Sequence, residues 1–337
     1  MSNSKRLRKV DLGPDWIDLS YGEPKVIMQS LMAQLTRVGS KFTMPTIQDV
    51  KTWEYPPACG RKDLCSLLEE KYDAKVIVCN GAKQALAASL NAFSKAGLKN
   101  IYYDIPYYPS NPDFIADAGL QFSDIESADS FLITSPNNPD GKNYSNVEIM
   151  EFCRKGPTIH DAAYYTDVYL PDEQIPIPSS DIQIYSVSKM YGLSGLRVGY
   201  AVVHNEKYYD DIVNFIEYNT AGVSAASQTI VHNIELFFKN NRDFFKEFQH
   251  DARKAIAESR LALQDLDPDV LQLLPCSSNS MFAWCKAGPL LDANSAKVYL
   301  LDGTMFGQPG MVRINIAHPL KTIQEAVKRL NDNKVKV

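Results

Sequence analysis

The 337-residue chain predicts an α/β fold, a mostly parallel sheet flanked by helices with a smaller α+β part beside it. Two observations predict it. Between Lys75 and His204 short apolar runs alternate with segments of helical period, and small or polar residues gather where each run ends. From Tyr208 the alternation gives way to a long helical stretch and then to further strands. A hydrophobic content of 45% is enough to fill a core of that size.

Charge and composition exclude several function classes. A net charge of −5 and a pI near 5.6 leave no broad electrostatic footprint for nucleic acid. The basic run Lys5, Arg6, Arg8 and Lys9 is local and reads as a solvated arm, with a polyanion-binding element as its alternative. Cys59, Cys65, Cys79, Cys153, Cys276 and Cys285 show no metal-ligand spacing and read as reduced thiols. With no apolar leader and no window of ~18 apolar residues, the expectation is a soluble, cytoplasmic protein without a membrane partner.

Taken in order, the chain opens with a polar arm and Trp16 to Pro24, after which Ile27, Leu31 and Leu35 recur at helical spacing. Tyr55-Pro56-Pro57-Ala58-Cys59-Gly60 is a tight turn. Arg61 to Tyr72 reads as an amphipathic helix and Lys75 to Cys79 as a strand; Asn80-Gly81-Ala82-Lys83 then opens a helix reaching about Ala96. Small residues at such a helix start let backbone N–H groups face a phosphate.

The next strand, Asn100 to Asp104, runs straight into Ile105-Pro106-Tyr107-Tyr108-Pro109. Phe131 to Thr134 ends in the turn Ser135-Pro136-Asn137-Asn138-Pro139-Asp140-Gly141, and a helix follows over Asn146 to Arg154. Pro157 to His160 is a strand with Asp161-Ala162-Ala163-Tyr164 at its end. Asp181 to Tyr185 and Val198 to His204 are two more. A helical run from about Ala225 to Leu266 stops before Pro268, and strands return at Met281 to Trp284 and Gly310 to Ala317.

Between the strands at 181–185 and 198–204 lies Ser186-Val187-Ser188-Lys189, followed by Gly192, Gly195, Arg197 and Gly199. A lysine at a strand end near a second cation has a depressed pKa and is suited to form an imine with an aldehyde. The arginine eight residues on suits a phosphate. A surface lysine beside a glycine-rich turn is the plain alternative.

Ser-x-x-Lys followed by Gly-Leu-x-Gly-x-Arg-x-Gly resembles the lysine signature of fold-type I pyridoxal phosphate enzymes of the class I/II aminotransferase family. The resemblance implies a large domain with a seven-stranded sheet over residues 44–222, and a small domain joining 1–43 to 223–337. It implies pyridoxal 5′-phosphate carried on Lys189, with Gly81, Ala82, Ser186 and Arg197 at the phosphate and Tyr108 stacked on the ring, Tyr107 being the fallback. Asp161 would pair with the pyridine nitrogen, so that the ring accepts electron density. Asn138 and Tyr164 would meet the phenolic oxygen, Asn138 lying at the substrate as well. Gly22 and Arg313 would meet the substrate carboxylate.

By the same resemblance Tyr55 would reach a second copy's phosphate, making the active unit a homodimer with shared sites. Lys83 and Asp140 depart from the usual residues. His160 is expected to pack, with a base role as the alternative. An arginine that holds the carboxylate favours moving the Cα proton, hence transamination between amino acid and keto acid. A decarboxylase or lyase on the same scaffold, on a free or carrier-attached amino acid, is the second reading, and a non-enzymatic regulatory protein the third.

Overall fold

The computed structural model describes residues 12–39, 54–166, 168–170 and 180–335. The basic run at 5–9 lies outside them. The chain begins with β1 (Ile17–Asp18), α1 (Lys25–Val38) and α2 (Lys62–Tyr72). An alternating series follows: β2 (Lys75–Cys79), α3 (Ala82–Lys95), β3 (Asn100–Tyr103), α4 (Asn111–Asp117), β4 (Gln121–Phe122) and β5 (Ser130–Thr134). It continues through α5 (Asn146–Lys155), β6 (Thr158–Asp161), β7 (Ile182–Ser186), the one-turn α6 (Val187–Met190), β8 (Gly199–Val203) and α7 (Tyr209–Thr220). Then come α8 (Ala225–Asn240), α9 (Arg242–Ala262), β9 (Leu271–Leu273), β10 (Phe282–Ala287), β11 (Val298–Tyr299), β12 (Leu301–Asp302), β13 (Met311–Asn315) and α10 (Leu320–Asp332).

Seven strands form the main sheet in the order β2-β8-β7-β6-β5-β3-β4. All run the same way except β8, which is antiparallel to both β2 and β7. The expectation of a mostly parallel seven-stranded sheet with flanking helices and a smaller part holds. Its strands read as unbroken apolar runs because both faces are covered. Within β2, Val76 and Val78 pack toward α2 and the C-terminal elements, while Ile77 and Cys79 pack toward α3 and α7. Each such side chain removed from water contributes about 1.5–3 kcal/mol.

A four-stranded antiparallel sheet, β12-β13-β10-β9, lies in the C-terminal part. The segment from β1 to α1 runs beside it: β1 pairs in parallel with β11, Asn315 N–H donates to Leu19 O at 2.8 Å, and Val26 N–H donates to Ala317 O at 3.2 Å.

The helical run expected from Ala225 to Leu266 is two helices. Asn241 leaves helical geometry (φ −133°, ψ 68°), and its side-chain amide donates to Phe237 O at 2.8 Å, closing α8 before α9 begins. Asparagine competes with the helix for its own backbone, which is the physical reason for the break. Among the described residues no helix is long and apolar enough to cross a membrane, no three His, Cys, Asp or Glu side chains could hold a metal, and the six cysteines are free.

Candidate active site

Because β2, β3, β5, β6 and β7 point the same way, their C-terminal ends share one edge, where an open α/β sheet binds ligands. A cavity of about 460 Å³ opens there. Its walls include Gly22, Ala82, Tyr108, Asn138, Asp161, Tyr164, Ser186, Lys189, Arg197 and Arg313, so the fold gathers all the expected site residues except Gly81 and Tyr55. Gly81 borders it through Arg197, whereas Tyr55 is 90% exposed and outside it.

Lys189 stands on α6, the single turn that follows β7. Its ammonium donates to the Gly22 carbonyl. Desolvation foremost, then Arg313, with Arg197 and Lys83 adding, pushes the amine down to about 8; Glu23 opposes them. Tyr169, fully buried, donates its hydroxyl to the Lys189 carbonyl at 3.1 Å and fixes the turn from behind.

One end of the cavity is built for an anion. Gly81 precedes α3 with φ 79° and ψ 166°, a region open in practice only to glycine, and a Cβ there would lie 2.4 Å from Arg197 Nη2. Arg197 is itself left-handed (φ 55°), and its guanidinium donates to Ser194 O at 3.0 Å and Asn80 O at 3.4 Å. Ser186, Ser188 and the start of α3 at Ala82 complete the wall. Backbone N–H groups, a helix N-terminus and a guanidinium converge there.

Asp161 ends β6. Its carboxylate accepts one hydrogen bond, from Ala163 N–H at 3.2 Å, and desolvation pushes it up to about 6. Among the described residues no cation pairs with it. His160 precedes it on the strand and therefore faces the opposite side of the sheet. Its Nε2 lies 3.1 Å from Ser135 O, its ring meets Tyr165 edge to face, and desolvation holds it down at about 4. It does not line the cavity, so it packs in the sheet and is not placed as a base.

Arg313 reaches the cavity from β13. It is 2% exposed, lies 4.1 Å from the Phe282 ring centre and 5.0 Å from that of Phe306, and donates to Asn138 Oδ1 at 2.8 Å and to Ser20 O. Burial pushes it down to about 10, which leaves it charged at neutral pH. Asn138 also hydrogen-bonds Tyr164, whose hydroxyl burial drives well above the usual phenol range.

Tyr108 faces the cavity, with the Lys83 ammonium 5.8 Å from its ring centre. Tyr107 instead packs edge to face on Tyr103. Asp140 stays in its turn, accepting from Asn137 Nδ2 at 2.9 Å and Lys142 N–H at 3.0 Å.

Sequence reading missed Glu23, Ser188 and Phe282 in the wall, and Tyr169 and Asn315 behind it. Ser188 and Asn315 fill open positions beside Lys189 and Arg313, and the other three belong to no local motif. Only Ser188, one residue from the lysine, carried a signal. The lining holds four cations, Lys83, Lys189, Arg197 and Arg313, against the carboxylates Glu23 and Asp161, so it attracts an anionic ligand.

Among solved structures, a double mutant of Thermus thermophilus aspartate aminotransferase superposes with a TM-score of 0.74 at 20% identity, over 94% of this chain and 91% of that one. That likeness establishes the fold. A rice (Oryza sativa subsp. japonica) protein named tryptophan aminotransferase-related protein 2 is 33% identical over 168 residues, covering 45% of this chain and 32% of the rice protein. The alliin lyase of Allium cepa var. aggregatum is 27% identical over 161 residues, 44% of this chain and 34% of the lyase. The chain thus matches about a third of the length of each of these two relatives. The sequence pattern of the family described as aminotransferase class I and II spans residues 14–330, and this chain belongs to that family.

Proposed function

We propose that this protein transfers an amino group between an amino acid and a keto acid with pyridoxal 5′-phosphate, the cofactor of its family. The observation that carries the reading is one cavity holding Lys189, Asp161, Arg197 and Arg313 together. Asp161 supplies the test of fit. A carboxylate buried with one backbone donor and no cationic partner is costly, and a protonated pyridine nitrogen is the partner it lacks. When bound, pyridoxal phosphate supplies an aldehyde that condenses with amines and a ring that draws electron density from the substrate Cα.

Gly81, Ala82, Ser186 and Arg197 would hold the phosphate, Tyr108 the ring face, and Asn138 with Tyr164 the phenolic oxygen. Arg313 would bind the substrate carboxylate beside Gly22, its charge strengthened by the dry aromatic walls of Phe282 and Phe306. Lys189, freed by an incoming amine, would take the Cα proton in its neutral form and return it on the far side of the transfer. An amine held near 8 can do both around neutral pH.

The working unit is proposed to be a homodimer, with Tyr55, 90% exposed outside its own cavity, serving the second copy. The large domain would run over 44–222 and the small one join 1–43 to 223–337; the bonds from Asn315 and Ala317 to the N-terminal segment support that grouping. A second reading, a lyase on the same scaffold, is favoured by the alliin lyase match.

Purified protein is expected to absorb as a pyridoxal enzyme, to retain the cofactor on Lys189 after borohydride, and to pass amine to a keto acid. Lys189→Ala should lower turnover roughly 10²–10⁴-fold while ligand binding survives. Substrate breakdown that needs no keto acid would establish the lyase instead, and failure of cofactor trapping would remove both.

A further inference from the structure

Asn315 is fully buried on a β-strand, where asparagine is disfavoured and an unsatisfied amide is expensive. Both amide donors and the carbonyl oxygen of its side chain are engaged. Its Nδ2 donates to Tyr21 O at 2.6 Å and to Glu23 O at 2.9 Å, and its Oδ1 accepts from Ala317 N–H at 3.0 Å. Its backbone N–H donates to Leu19 O.

The segment so clamped, 19–23, is neither helix nor strand from Leu19 onward, yet two of its carbonyls meet the cavity's reactive cations. Ser20 O accepts from Arg313, and Gly22 O accepts from Lys189. The side-chain amide grips the carbonyls of residues 21 and 23, which flank the one that Lys189 uses. Glu23, with no hydrogen bond to its carboxylate among the described residues, is held at the cavity wall by the same grip.

We propose that Asn315 is a positioning residue, which sets where Ser20 and Gly22 present their carbonyls and thereby aims Arg313 at the substrate carboxylate and gives the released Lys189 amine a fixed acceptor. The inference rests on the function proposed above. Four charged groups bear on that amine: Arg313 from β13, Arg197 after α6, Lys83 from α3 and Glu23 from the clamped segment itself. Loosening the segment shifts the nearest carbonyl and Glu23 together and frees Arg313 from Ser20 O, while Lys83 on α3 and Arg197 make no bond to the segment.

The test uses the holoenzyme carrying Asn315→Asp, which keeps size and the Oδ1 acceptor but loses both donors, and the neutral Asn315→Ser. Both are expected to raise KM for the amino acid roughly tenfold, the scale of one buried hydrogen bond, with a smaller change in kcat. In Asn315→Ser the acidic limb of the kcat profile should move to lower pH, because an ammonium without its acceptor loses its proton sooner. Hydrogen exchange of amides 20–23 should quicken in both.

A folded variant with wild-type KM and an unmoved acidic limb overturns the proposal, even if its melting temperature has fallen. Where neither variant folds, the wild-type holoenzyme decides. Amides 20–23 protected as well as those of β13 support the clamp, and exchange at the rate of an open loop overturns it. A wild-type protein that takes up no cofactor overturns the functional reading instead, so the two failures are distinguishable.

Discussion

Asp161 carries the clearest opposition between stability and function. Its folded carboxyl, raised to about 6 by desolvation, binds a proton more tightly than the unfolded one, at a usual value near 3.8. Its stability contribution is therefore complete below pH 4 and is lost as the pH rises through 6. Two units correspond to about 3 kcal/mol. Asp161→Asn is expected to make the cofactor-free protein more stable at pH 7 by on the order of 1–3 kcal/mol, an advantage that shrinks as the pH falls to 4, while abolishing most turnover. Calorimetry of the apo-protein across that range checks it. A stability difference between the wild type and Asp161→Asn that stays level from pH 4 to 7 would contradict the buried, unpaired acid, since His160 acts alike in both proteins. Cofactor binding should narrow the gap between the two proteins, since it brings the missing partner.

At the scale of elements, the proposed phosphate end depends on the backbone conformation of Gly81. Gly81→Ala forces a Cβ into an unfavourable backbone region, at a cost on the order of 1–3 kcal/mol, and against Arg197. The expected outcome is a lower melting temperature together with cofactor affinity weakened tenfold or more, read by titrating apo-protein with pyridoxal phosphate. Elements of this kind were legible in the sequence, because each strand is an apolar run and each functional loop starts where the run stops. Gly81, Asn138, Asp161 and Lys189 all stand within a few residues of such a boundary. What escaped was whatever depends on distant chain meeting distant chain. Tyr169 touches Lys189, 20 residues further on, Phe282 lines the wall from another sheet, and Asn315 grips residues far away in the sequence; no local period or spacing encodes those encounters. The break at Asn241 was missed for a different reason, since hydrophobic spacing continues through it and only backbone competition stops the helix.

For the whole molecule, the exposed Tyr55 makes a prediction that only an assembly can satisfy. Mixing Lys189→Ala and Tyr55→Ala subunits, each inactive or crippled alone, should restore about a quarter of wild-type activity. Half of randomly formed dimers are hybrid, and each hybrid has one site with both residues intact. No recovery after subunit exchange would show that Tyr55 serves its own chain or nothing. A last consequence follows from the bonds between the N-terminal segment and β11, β13 and the residues just after β13. At ~5–20 residues per second the ribosome releases Leu19 well before Asn315 exists. For most of synthesis the segment around Leu19 has no mate, and the cavity wall that Ser20 shares with Arg313 closes only once β13 has been made. A nascent chain therefore completes the cavity in one late event, and until then the residues from Leu19 to Val26 stay unpaired.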